Sequence, residues 1–280
     1  MPASTSDNDN AHEIARLRNK KNFTLTIFFG SIAFMVLSCP GFFGLGALIR
    51  NETVQMVFYA TAIFGPFVGL GGMILMLGDR GRYVRSVDLA LEADELGMAF
   101  REKPSRRQIG EVSGFLAFQD HTDEHARNSL EGEHKSTTLL IMDYNCSWGT
   151  GTSAQVTLQT VFVFPDSLPE APDLLLYPRG LLDKMAEAVG LRKRPIAIAG
   201  EKQMNKEYGL YTDREKKAVA LFSPDVVDVC LEERTLVLEI NRGTLLVFWS
   251  DTYVKPAELH DRLATALRLK KLLAAGERTG

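Results

Sequence analysis

Two long apolar runs, Phe23 to Ile49 and Val54 to Leu77, constrain this chain more than anything else in it. Only Arg50, Asn51, Glu52 and Thr53 part them, and neither run holds a charged residue. Each exceeds the roughly 20 residues a helix needs to cross about 30 Å of hydrocarbon. The expectation is an antiparallel transmembrane hairpin with spans 23–49 and 54–77. It divides the chain into a polar, basic tail (1–22), the hairpin (23–78) and a cytosolic domain (79–280).

Flanking charge sets the expected orientation. Arg16, Arg18, Lys20 and Lys21 precede the first run, Arg80, Arg82 and Arg85 follow the second, and Arg50 alone lies between. By the positive-inside rule both termini are cytoplasmic, which implies a multi-pass protein of the cell inner membrane with the lipid bilayer as partner. The first run is too long for the apolar core of a cleavable signal, so it reads as an anchor. Gly65 and Gly69 form a G-x-x-x-G that suits close helix packing. No ionisable residue lies inside either run, which argues against transport or proton relay.

The remaining stretch of about 200 residues is long enough to bury a core without disulfides or metals. Cys39, Cys146 and Cys230 form no framework, as expected of a reducing compartment. The net charge is −3; the tail before the first run carries +1 and Arg50 cancels Glu52, so the domain that follows carries −4 and is mildly acidic. That balance argues against nucleic acid as a partner.

Periodicity within the domain predicts an α+β fold. Asn10 and Glu13 have capping-box spacing before a short helix that runs to Lys21. Val84, Val87, Leu91 and Met98 mark a helix that ends at Lys103-Pro104, and Ser105 to Phe118 marks a second element. Gln119 to Lys135 is almost wholly polar and reads as a loop. Thr138 to Trp148 and Gln155 to Phe164 alternate as paired strands around the turn Gly149 to Ser153. Gly180 to Val189 has the stripe of a short helix, and Thr212 with Glu215 and Ser223-Pro224 look like helix starts. Leu236 to Ile240 and Thr244 to Trp249 form a hairpin around Asn241-Arg242-Gly243. A terminal helix from Pro256 to Ala275 offers Leu259, Leu263, Ala266 and Leu273 on one stripe.

Several segments carry a resemblance. Asn128-Ser-Leu-Glu-Gly132, Ile141-Met-Asp-Tyr144 and Gln159-Thr-Val-Phe162 are followed by Leu168-Pro-Glu170, Leu174-Leu-Leu-Tyr-Pro178 and Tyr208-Gly-Leu210. Leu221-Phe-Ser-Pro224 and Leu238-Glu-Ile240 complete the series. In this order they resemble an uncharacterised bacterial family of membrane-anchored proteins with a cytosolic domain of unknown function. The resemblance covers most of Tyr83 to Ala275. It implies architecture and carries over no catalytic residue.

The motif with the most chemistry is His121-Thr-Asp-Glu124-His125, which fits the H-x-x-E-H of inverted zinc peptidases. On a helix His121 and His125 would share a face and bind Zn²⁺ while Glu124 served as base. The segment lacks an apolar stripe, and a solvated loop is the stronger reading. Cys146 would need a neighbouring base to act as a nucleophile. Arg192-Lys193-Arg194 reads as a solvated face. Three functions stand: a membrane-tethered binding or scaffold module with a protein partner and no cofactor, a tethered metal-dependent hydrolase on the His121/Glu124/His125 cluster, and an accessory subunit of a larger membrane complex.

Overall fold

The alternating segments of the domain pair into one antiparallel sheet. The computed structural model describes residues 5–48, 52–119, 123–148, 155–179, 195–250 and 252–279. Its strands are β1 (Ala99–Arg101), β2 (Asp123–His134), β3 (Thr137–Trp148), β4 (Gln155–Phe164), β5 (Leu174–Pro178), β6 (Tyr208–Thr212), β7 (Leu236–Asn241) and β8 (Thr244–Trp249). The helices are α1 (Thr5–Leu48), α2 (Glu52–Leu96), α3 (Arg106–Ser113), α4 (Lys202–Glu207), α5 (Glu215–Leu221), α6 (Pro224–Glu232) and α7 (Leu259–Thr279). The chain divides into two compact units, Ala11–Leu91 and Met1–Asn10 with Glu92–Gly280.

In the larger unit the eight strands run in the order β1-β2-β3-β4-β8-β7-β5-β6. One register row crosses them all: Ala99, Glu131, Leu140, Val163, Leu246, Glu239, Leu175 and Tyr211. Side chains of paired residues leave a sheet on the same face. On that face Val112 of α3 and Phe115, Ala117 and Phe118 of the following 3₁₀ turn join Leu140, Val163 and Leu246 in one core. Phe118 centres that core, its ring 4.7 Å from Tyr144 and 5.2 Å from Phe248.

The other face lies under α7. Arg262 of α7 stacks 4.6 Å from the Trp249 ring, and the Lys270 ammonium donates to the Thr137 hydroxyl at 3.1 Å. Leu259, Leu263, Ala266, Leu269 and Leu273 are all buried, as their helical spacing requires. Each large apolar side chain buried this way stabilises the fold by about 1.5–3 kcal/mol. Asp143 is also buried on this side and accepts from Asn128 (2.9 Å) and the Thr160 hydroxyl (2.8 Å). The Thr160 oxygen in turn accepts the Val254 amide at 3.0 Å, pinning the segment that leads into α7. Val156 and Leu158 of β4 are exposed, at the end of the strand that β8 does not reach.

Local chemistry explains most element ends. Ser105 and Gln108 form a capping box at α3, and Ser223 caps α6 with Pro224 in its first turn. Lys135 and Ser136 turn β2 into β3 with positive φ, and Arg242-Gly243 does the same between β7 and β8. Gly243 is required twice over: φ is +80°, and a Cβ there would meet the Pro169 Cα at 3.0 Å.

Several expectations are corrected. Gln119 to Lys135 is not a loop, since Asp123–His134 is the second strand of the sheet. Its side chains give no apolar alternation because the strand lies beside a short edge strand, and its backbone pairing with β3 holds it. Asn10 does not open a helix. It lies within α1, where its amide donates to the Met98 carbonyl and accepts from the Phe100 amide, both at 2.8 Å. Thr212 does not cap α5; its hydroxyl bonds the Asp173 carbonyl and the Arg214 amide.

The largest correction concerns the apolar runs. They are not helices in their own right, but parts of α1 and α2, which are 44 and 45 residues long. Both helices also carry charged residues, Asp7 to Lys21 in α1 and Asp79 to Glu95 in α2, which resist transfer into hydrocarbon. Among the described residues no helix is long and apolar enough to cross a membrane. The transmembrane hairpin with spans 23–49 and 54–77 is therefore corrected. With it goes the multi-pass inner-membrane placement with both termini cytoplasmic. Within the Ala11–Leu91 unit, Leu17 and Leu89 are buried and the Lys20 ammonium lies 5.5 Å from the Tyr83 ring centre. Phe23, Phe29, Met56, Phe64 and Phe67 of the same unit are exposed.

Candidate functional site

Of the H-x-x-E-H residues, Glu124 and His125 lie on β2, and His121 lies outside the described residues. Neighbours on a strand project to opposite faces, so β2 turns the side chains of Glu124 and His125 away from each other. Glu124 accepts a 2.7 Å hydrogen bond from the Tyr144 hydroxyl, and His125 is exposed. Burial, then the bond to Glu124, hold the Tyr144 phenol well above its usual range. Cys146 is 1% exposed, with the Thr157 hydroxyl 3.4 Å and the Gln159 amide 3.5 Å from its sulfur. Neither neutral group can take a proton from the thiol. The Gly149–Ser153 turn, the Gly180–Val189 helix and the Arg192–Arg194 run lie outside the described residues.

One other cluster has metal-ligand composition. Ligand atoms of Glu92, Glu95 and His260 lie within 4.8 Å of one another. The His260 Nε2 is 3.1 Å from Glu92 and 3.9 Å from Glu95. His260 and Glu95 are largely exposed, at 52% and 71%, so the contact is a solvated polar one.

The site with built chemistry lies where β5, β6 and β7 meet the 3₁₀ turn Leu116–Phe118. Alternation places Glu239 of β7 in phase with Val237, on the apolar face, between Leu246 and Leu175. It is only 3% exposed. A carboxylate so placed needs hydrogen-bond donors, and the free amides at the start of the 3₁₀ turn supply them. The amide of Leu116 donates to one carboxylate oxygen at 2.6 Å and that of Ala117 to the other at 2.8 Å. Burial, opposed by the two amides and aided by the charge of Asp173, raises the Glu239 carboxyl to about 7.

A hollow of about 200 Å³ opens at this carboxylate, lined by Leu116, Leu175, Tyr211, Asp213 and Glu239. A larger hollow of about 650 Å³ adjoins it, with Glu111, Phe115, Asp166, Arg242 and Thr244 in its walls. Asp173 and Asn241 belong to both. Both shared residues are fixed in place. The Asp173 carboxylate accepts the Arg242 amide at 2.7 Å, the Thr212 hydroxyl bonds the Asp173 carbonyl at 2.7 Å, and the Asn241 amide donates to the Gly114 carbonyl at 3.1 Å. The walls therefore combine apolar side chains with several acceptors, carboxylates foremost. They favour a ligand that brings hydrogen-bond donors.

Glu239 was not among the residues singled out from sequence. Its signal was there: one acid in phase with the apolar face of Leu-Val-Leu-Glu-Ile, a run of five with no other polar residue. What the sequence lacked was the partner, because Leu116 and Ala117 lie more than 100 residues away, with |i−j| of 123 and 122. No protein family, curated protein or solved structure matches this chain.

Proposed function

We propose that the chain is a small-molecule-binding module whose ligand sits in the paired hollows around Glu239, Asp173 and Asn241. One observation carries the reading: a carboxylate that is 3% exposed forms part of the wall of a hollow, instead of being sealed in the apolar core around it. Perturbed titratable groups beside a cavity are a recurrent mark of binding sites. The fixed geometry of the Arg242-Gly243 turn supplies preorganisation, which lowers the entropic cost of binding. Neither a hydrolase on His121, Glu124 and His125 nor an accessory subunit gains an observation of similar weight.

A fragment screen by thermal shift on the full chain tests this reading, with each hit repeated on Asp213→Trp. Asp213 is exposed at the rim, so an indole there fills the hollow without entering the core. Hits that raise the melting temperature of the native chain and vanish in Asp213→Trp are expected. A screen without hits, or hits indifferent to the filled hollow, overturns the proposal.

A further inference from the structure

We infer that the ligand of the smaller hollow carries a primary ammonium group, which docks against Glu239 and displaces one proton from that carboxyl group to solvent. The inference rests on the binding-module reading and deepens it, and it stands first on geometry. A carboxylate offers about four acceptor positions. Two are taken by the Leu116 and Ala117 amides, which leaves capacity toward the hollow that Glu239 lines. An ammonium has three donors and no acceptor. Beside a wall whose charged groups are all carboxylates it can be satisfied, whereas an anion would meet Asp173 and Asp213 as well as Glu239.

The groups around Glu239 bias its proton in the same sense. The 3₁₀ turn presents two backbone amides, and α3 contributes Glu111 to the adjoining hollow. The chain before β5 presents Asp173; β6 presents Tyr211, with Asp213 just beyond it. β8 presents Leu246, and Arg242 and Asp166 stand in the wall of the larger hollow. Acids outnumber bases here, and burial disfavours a second charge, so the empty site holds its proton up to about pH 7. An entering cation reverses that preference by replacing lost hydration with a direct ion pair. The balance is simple: a neutral carboxyl group and an ammonium become a carboxylate–ammonium pair, and the released proton goes to the buffer.

Size narrows the class. A hollow of about 200 Å³ suits a short aliphatic amine better than a polymer. The probe is therefore 1,4-diaminobutane, with 1,4-butanediol as its uncharged counterpart.

Calorimetric titration of the full chain at pH 6, in two buffers of different ionisation enthalpy, reads the proton directly. About one proton released per diamine is expected at pH 6 and close to none at pH 8.5, with affinity rising about tenfold per pH unit below 7 and levelling above. The diol should bind far more weakly, and Glu239→Gln should abolish both proton release and pH dependence. If that variant fails to fold, the native pH profile decides alone. Diamine binding without proton release, diol binding of equal strength, or fragment hits in the hollow with no diamine binding would each overturn the inference and leave the binding-module reading standing. Absence of every ligand from the hollow would remove both.

Discussion

Replacing Glu239 by Gln should reverse its effect on stability with pH. The carboxyl group titrates at about 7 in the folded chain against an ordinary value of 4.5. A folded-state value raised above the unfolded one stabilises below the unfolded value, and that contribution is lost as pH rises through the folded value. A shift of this size corresponds to about 3 kcal/mol across the window from pH 4.5 to 7. Gln carries no charge but has only one acceptor oxygen for the Leu116 and Ala117 amides, so at pH 5 it should cost about 1 kcal/mol. Above pH 8 it should be more stable than the native chain by about 2 kcal/mol, the difference between the two effects. Urea unfolding followed by tryptophan fluorescence, at half-unit steps from pH 5 to 8.5, measures this directly, since Trp249 lies on β8 beside β7. Contributions from sites remote from Glu239 are common to both proteins and drop out of the difference. Two stability profiles that run parallel across that range would show that Glu239 does not titrate as its surroundings require.

Three further outcomes test the packing. Leu263→Asp, at a 2% exposed position on α7, should destabilise by about 4 kcal/mol or more and abolish a cooperative melt, because the charge has no partner there. Asp143→Ala should cost about 3 kcal/mol in urea unfolding, since it removes an acceptor that Asn128 and Thr160 share, and Asp143→Asn should cost less. Gly243→Ala should lower stability by about 1–2 kcal/mol from its positive φ alone, and its contact with Pro169 should also shift the melt of the β7–β8 hairpin.

Local signals in the sequence determined a good deal. Ser105 and Gln108, Ser223 with Pro224, and Arg242 with Gly243 carry their cap and turn chemistry within four residues, so the starts of α3 and α6 and the turn of the last hairpin were legible, while the end of α3 at Ser113, short of the expected Phe118, was not. Alternation did the same for β3, β4, β7 and β8, and the stripe from Leu259 to Leu273 for α7, because periodicity records which face must leave water. The tertiary structure decided what depends on a distant partner. Strand β2 forms from a polar segment because β3 supplies its ladder. Asn10 is buried because Met98 and Phe100 meet it across about 90 residues, with |i−j| of 88 and 90. The apolar runs acquired their limits only when α1 and α2 were seen to extend through the flanking charged residues. Glu239 is the clearest case. Its place in phase with the apolar face was written in the strand, but two backbone amides from a turn formed far upstream determine whether a buried acid is an error or a site.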